Sequence, residues 1–194
     1  MIKKSGKKES EPMRVITGSA RGRKLVTREG EETRPTPERV KEALFSIIQF
    51  RVEGRRVLDA FAGSGQLGIE ALSRGASHAD FLDQSRESVA VIQKNLAETG
   101  LSEQAEVYHT DALVFLMRKN APYDLCFLDP PYRTGLLQKA LPLCAECMNP
   151  GGMIICEHPT DEKLPEQAGK FQKEREYRYG KILLTTYTCK EVNI

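Results

Sequence analysis

The sequence predicts an α/β fold: a doubly wound, mostly parallel sheet of seven strands that closes with a C-terminal antiparallel hairpin, preceded by a small basic β-hairpin. Three observations carry the prediction. Short apolar runs of strand character alternate with segments of helical period through the middle of the chain, the pattern of a parallel sheet covered by helices on both faces. The last long run, FQKEREYRYGKILLTTYTCK, holds two strand-like stretches either side of Gly180-Lys181 with no helix between them, which reads as an antiparallel hairpin. Finally, Asp59, Asp83, Asp111 and Asp129 all fall where strands end, the edge at which open α/β sheets bind ligands.

Taken in order, MIKKSGKKESEP is rich in Lys, Glu and Ser, and residues 1–12 are expected to be a disordered extension. Residues 13–194 are expected to form a single domain, with 13–35 as a basic hairpin and its following loop. MRVITGSARGRKLVT offers that hairpin, two short strand-like runs around a Gly/Arg turn. TRPTPERVKEALFSIIQF reads as a capped helix with Thr36 as N-cap, Pro37 in the first turn, and Val40, Ala43, Leu44, Ile47 and Ile48 on one face. RRVLDAF is a short buried strand, GQLGIEALSRG a helix stopped by Gly75, and HADFLD a second strand. SRESVAVIQKNLAETG is a helix between Ser85 and Gly100, AEVYHTD a third strand, and DALVFLMRKN a third helix of this alternation. YDLCFLD, a helix over LLQKALPLCAECM distorted at Pro142, and GGMIICE complete the parallel part.

Composition bounds the function. At 194 residues the chain has the length of one ordinary domain. No apolar run approaches membrane-spanning length, and no hydrophobic region follows the charged N-terminus, so a soluble cytoplasmic protein is expected. The five cysteines do not form a disulfide framework. Cys144 and Cys147 make a CxxC with no second pair at metal-site spacing, so they read as small buried residues and no metal is expected. The net charge of +2 is uneven: through Arg34 there are ten Lys or Arg against five Glu, +5, which leaves −3 for the rest. Basic residues interleaved with glycine and apolar positions, Arg21, Arg23 and Lys24 among them, suggest that this segment meets a polyanion.

The chemistry gathers at the strand ends. Gly63, Gly65 and Gly68 in DAFAGSGQLG satisfy GxGxxG spacing, and Asp83 ends the next strand, where a ribose-binding acid belongs. Asp59 argues against a dinucleotide, because a carboxylate ahead of the loop repels pyrophosphate and attracts a ligand with an ammonium and a sulfonium. S-adenosylmethionine is such a ligand. Asp111, with Ala112, can border its adenine, or serve as a helix N-cap, and both roles are compatible. FLDPPY supplies the acceptor side. Two prolines end the strand in a stiff turn at Asp129-Pro130-Pro131-Tyr132. The Asp129 carboxylate and the Pro130 carbonyl can bind the hydrogens of an exocyclic amine and turn its lone pair towards an electrophilic methyl, while Tyr132 stacks on the base. His109 and His158 lie near the same edge and are given no catalytic part.

DPPY after a fourth strand resembles the signature of amino-group methyltransferases acting on nucleobases. MRVITGSARGRKL, the Arg34-Pro35-Thr36 loop with its ERVKEALF helix, VLDAFAGSGQLGIEALSRGA, FLDPPY and the terminal YG hairpin together resemble the RsmD family of bacterial small-subunit ribosomal RNA guanine-N2 methyltransferases. The resemblance covers Met13 to about Cys189. It implies a Rossmann-like class I methyltransferase with S-adenosylmethionine as donor and a guanine of 16S ribosomal RNA, free or in the small subunit or its assembly intermediate, as acceptor. It places Asp59, Phe61, Gly63, Ser64, Gly65, Asp83, Asp111 and Ala112 around the donor, Arg34 to Thr36 over it, and Arg21, Arg23 and Lys24 on RNA phosphates. Asp83 departs from the family's usual Glu. A DNA amino-methyltransferase shares FLDPPY but usually brings a target-recognition region for which there is no room, and a protein glutamine methyltransferase more often has Asn at Asp129. A non-catalytic RNA-binding protein of the same fold is the remaining alternative. Without a large extra apolar face, a monomer is expected.

Overall fold

The computed structural model describes residues 13–27, 38–118 and 122–189. In chain order its elements are α1 (Glu38–Ile47), β1 (Arg56–Asp59), α2 (Gln66–Ser73), β2 (His78–Asp83), α3 (Arg86–Thr99), β3 (Ala105–His109), α4 (Ala112–Met117), β4 (Tyr123–Leu128), α5 (Leu136–Glu146), β5 (Met148–Pro159), β6 (Gln167–Ala168), β7 (Phe171–Tyr179) and β8 (Ile182–Thr188). The strands form one sheet in the order β3-β2-β1-β4-β5-β8-β7-β6. β3 to β5 pair in parallel, and β8, β7 and β6 extend the sheet antiparallel. The eighth strand, β6, is a two-residue edge, too short to leave a pattern in the sequence. The chain winds outward from β1 to β3 and resumes on the other side with β4, so a crevice opens between the carboxyl ends of β1 and β4.

Alternation along each strand splits the core in two. Val57, Phe81, Leu125, Phe127 and Ile155 face the layer of α1, α2 and α3, whereas Leu58, Leu82, Cys126, Leu128 and Cys156 face α4 and α5. The helix ends follow the sequence signals. The Ser85 hydroxyl accepts from Ser88 N, Gly100 caps α3, and α5 runs on through Pro142. Cys144 and Cys147 are buried in the second core.

α1 is rotated from its expected face. Val40, Leu44 and Ile48 are buried as expected, but Lys41 and Phe45 are buried with them while Ala43 and Ile47 are only half-buried. The reason is a polar network that the apolar pattern cannot show. Lys41 Nζ donates to Arg14 O at 2.7 Å and lies 3.7 Å from Glu70 Oε2. Burial pushes the Lys41 ammonium below its usual pKa, against the opposing charge of Glu70.

The same network holds the N-terminal segment to the body. One antiparallel bridge, Arg14 to Lys24, makes it a minimal hairpin with no regular strand. Buried Glu70 accepts from Ile16 N and Thr17 N, Ser73 Oγ accepts from Ala20 N and donates to Thr17 O, and the Asn95 amide exchanges hydrogen bonds with Val26 N and Val26 O. At Gly18 the contact is so close that a Cβ would lie 1.7 Å from Ser73 O. The expected N-cap Thr36 and Pro37, the Arg34-Pro35-Thr36 loop and the first twelve residues lie outside the described residues.

Candidate active site

A cavity of about 540 Å³ opens at the carboxyl edge of the sheet, at the crevice where the winding reverses. Phe61 to Ser64 of the glycine loop, Asp83, Asp111 and Ala112 line one half, and Asp129 to Tyr132, Glu157 and Ile182 the other. Met13 and Thr27 of the N-terminal segment also line it.

The first half is organised by backbone hydrogen bonds. After β1 the chain is held by Ala60 N to Phe127 O and by Ala62 N to Leu82 O. Asp59 lies beneath this loop, 2 % exposed, and its Oδ2 accepts from Gly68 N at 2.9 Å. It does not line the cavity, so it reaches a ligand there only through its field and through the loop it supports. Burial pushes its carboxyl up to about 7; the Gly68 N–H opposes this and the Asp83 charge adds to it. Gly65 is likewise beneath the surface, turning the loop into α2. Gly68 answers to packing: a Cβ there would meet the Phe81 ring at 2.2 Å.

Asp83 does face the cavity. Its Oδ2 accepts from Gly63 N at 3.0 Å and its Oδ1 from Ser85 N at 2.7 Å, which fixes the carboxylate between the two loops. Two oxygens offer about four lone-pair directions, so capacity remains for a diol. Asp111 Oδ1 caps α4 by accepting from Val114 N at 3.0 Å, and the residue also lines the cavity, so the helix cap stands at the ligand edge.

The second half is a braced turn. Asp129 and Tyr132 are half-buried, Pro130 is buried, and the Tyr132 hydroxyl donates to Glu157 Oε1 at 2.8 Å. Arg133 follows with φ 60°, a left-handed conformation costly for a residue with a Cβ. The strain is contained by Thr134 Oγ1 donating to Pro131 O at 2.7 Å and by an Arg133–Asp161 ion pair at 2.8 Å.

Arg21, Arg23 and Lys24 are exposed on the hairpin and do not line the cavity, and Arg34 and Thr36 lie outside the described residues. His158 is buried against Thr185 Oγ1 at 2.7 Å, with burial lowering its pKa, and His109 bonds Gln84 O. The sequence reading missed Met13, Thr27, Glu157 and Ile182, and gave no role to Gln84, which also lines the cavity. Only Glu157 had a local signal, an acid ending an apolar strand.

A doubly wound sheet with a glycine loop, a ribose-type carboxylate on the second strand and DPPY on the fourth defines a class I methyltransferase. The chain belongs to the family described as Conserved hypothetical protein 95, which matches residues 13–188 and is the RsmD family. It is 35% identical to the Escherichia coli protein named "Ribosomal RNA small subunit methyltransferase D" over 188 residues, 96% of this chain and 94% of that one. The solved structure of Escherichia coli yhhF superposes with a TM-score of 0.83 at 35% identity, covering 92% of this chain and 98% of that one. A more distant neighbour, an RNA methyltransferase from Salinibacter ruber in complex with S-adenosyl-L-homocysteine, shares the fold at 18% identity and a TM-score of 0.63, over 81% and 95% of the two chains.

Proposed function

We propose that this protein transfers a methyl group from S-adenosylmethionine to the exocyclic N2 of a guanine in 16S ribosomal RNA, with residues 13–194 acting as one methyltransferase domain. The observation that carries the reading is that the Asp129-Pro130-Pro131-Tyr132 turn and the Asp83 carboxylate open into one cavity. Its volume suits a nucleoside-sized ligand, and the acceptor carboxylates of Asp83 and Asp111 on its wall match the hydroxyls of a ribose and the amine of an adenine. When bound, S-adenosylmethionine supplies an electrophilic methyl on a sulfonium.

The chain's own residues do the rest. Asp83 holds the ribose hydroxyls, Gly63 and Ser64 give close backbone approach, Phe61 and Ala112 wall the adenine, and Asp111 accepts from its amine. Asp59 stabilises the loop and adds negative field beneath it. Arg34 and Thr36 are assigned to the cover of the donor. On the acceptor side, Asp129 and the Pro130 carbonyl each take one N–H of the guanine amine, and Pro131 and the Arg133 brace hold them in place. Tyr132 stacks on the base, which must stand out from its neighbours in the RNA to reach the cavity. The attacking amine forms its bond to the methyl carbon as the carbon–sulfur bond breaks to leave the thioether. The ammonium so formed is acidic and sheds a proton afterwards, so Asp129 needs to position the amine and not to deprotonate it beforehand. No metal is required for displacement at carbon. Exposed Arg21, Arg23 and Lys24 bind RNA phosphates, and the protein works as a cytoplasmic monomer.

The test is transfer of labelled methyl from S-adenosylmethionine to small subunits and ribosomal RNA from cells lacking this gene, followed by nucleoside analysis. N2-methylguanosine at one position is expected. Label in DNA or protein, with none in RNA, would refute the substrate while leaving the donor site standing.

A further inference from the structure

We infer that Glu157 selects the base: resting on the guanine reading above, its carboxylate accepts the N1–H of the target guanine beside the amine held by Asp129. β4 and β5 pair in parallel up to Leu128 opposite Cys156, and the residues that follow these two are Asp129, just past the end of β4, and Glu157. Phe127 and Ile155, two residues earlier on each strand, face the α1 layer, and Leu184, the β8 partner of Glu157, lies in that same core. Continued one residue past the end of β4, that register sets Asp129 beside Glu157 on backbones spaced like neighbouring strands, about 4.8 Å. Both line the cavity.

Glu157 is also costly where it stands. It is only 4 % exposed at the end of a strand, and a carboxylate withdrawn from water needs donors. The Tyr132 hydroxyl supplies one, at Oε1. A carboxylate has about four acceptor directions, and the Tyr132 bond sets this one beside the residue on which the base stacks. Two adjacent carboxylates make an acceptor-only wall. Among the four bases only guanine sets an amine next to a ring N–H. Adenine and cytosine place a lone pair beside their amine, which this wall repels, and uracil has no amine.

The bland alternative is that Glu157 only anchors the Tyr132 hydroxyl. Glu157→Gln separates the two, because its side-chain carbonyl accepts the same hydroxyl bond while the charge is lost. The assay is methyl transfer to small subunits or ribosomal RNA from cells lacking this gene, with S-adenosylhomocysteine affinity by calorimetry as the control on folding and the donor site. Expected for Glu157→Gln is a loss of about 10- to 100-fold in kcat/KM, from one charge-assisted hydrogen bond, with S-adenosylhomocysteine affinity within about threefold. Tyr132→Phe, which keeps the ring and the carboxylate, should lose less than about fivefold. Wild-type turnover in Glu157→Gln, or equal losses in both variants, would overturn the inference. Should Glu157→Gln fail to bind S-adenosylhomocysteine, Glu157→Asp decides: it keeps the charge and should retain base-selective transfer, and its inactivity with intact donor binding would count against the inference. If wild-type product is not N2-methylguanosine, the parent reading falls as well; if it is, and Glu157→Gln is fully active, only this inference falls.

Discussion

The two halves of the cavity are built by different means. Around the donor, Asp59, Asp83 and Asp111 each accept from backbone N–H groups of the protein itself, at Gly68, at Gly63 and Ser85, and at Val114. Around the acceptor, a strained Pro-Pro turn is braced by side chains from elsewhere, Tyr132 by Glu157 and Arg133 by Asp161. Backbone ties make the first half a preformed cradle, which on the proposed reading holds the donor. On the proposed reading the second half, held by side-chain ties, orients the acceptor. The halves are therefore separable by mutation, and the sharpest separation is Asp129→Ala. We expect a loss of at least about 10²- to 10³-fold in kcat with S-adenosylmethionine affinity within a few-fold, measured by saturating turnover and calorimetry. Full activity would dissolve the distinction.

Asp59 tests the cradle from beneath. Its folded pKa, about 7, stands above the ordinary 3.8, so between these values the unfolded chain loses a proton that the folded chain keeps. Stability supplied by that proton is present below about pH 4 and declines as pH rises to about 7. Asp59→Asn, whose carbonyl still accepts from Gly68 N, lacks the decline. Relative to wild type it should gain on the order of 2–4 kcal/mol between pH 4 and pH 8, seen in denaturant melts across that range. A pH-independent difference would show that Asp59 is not titrating in the fold.

Asp83 should show the inverse of Asp129. Removing the carboxylate in Asp83→Ala releases Gly63 N and Ser85 N and takes away the ribose acceptor, so S-adenosylmethionine should bind about 10- to 100-fold more weakly. At saturating donor, turnover should stay within several-fold. Loss of kcat with unchanged affinity would mean that the halves are not independent.

The comparison also explains what could be read in advance. The donor half is local in sequence: a glycine spacing, a cap three residues from its target, an acid at a strand end. Each of these is visible in one dimension. The turn at Asp129 is legible for the same reason, since two prolines announce it. Glu157 takes its meaning from the β4–β5 register, which pairs residues 28 apart, and nothing in IICEHP states that register. Met13 and Thr27 reach the cavity because Glu70, Ser73 and Asn95 draw their segment onto the helices from more than fifty positions away. The α1 face was misplaced by the same network, because an apolar-period reading puts Lys41 outside and its buried partner Glu70 is out of sight.

Asp111 yields the smallest effect and the finest test of the cradle, since one carboxylate serves as helix cap and ligand wall. Asp111→Ala removes the acceptor for Val114 N, which should cost about 1 kcal/mol of stability, as lost N-caps do. Asp111→Ser restores a capping oxygen on a shorter side chain that no longer extends towards an adenine amine. If the residue only caps, Ser recovers both melting temperature and donor affinity. If it also holds the adenine, Ser recovers the melting temperature alone, and S-adenosylmethionine affinity stays a few-fold weaker than wild type in calorimetry. The second outcome is expected, because Asp111 lines the cavity while its Oδ1 is engaged with α4, so the bond that orders the helix also fixes the direction in which the carboxylate can receive a ligand.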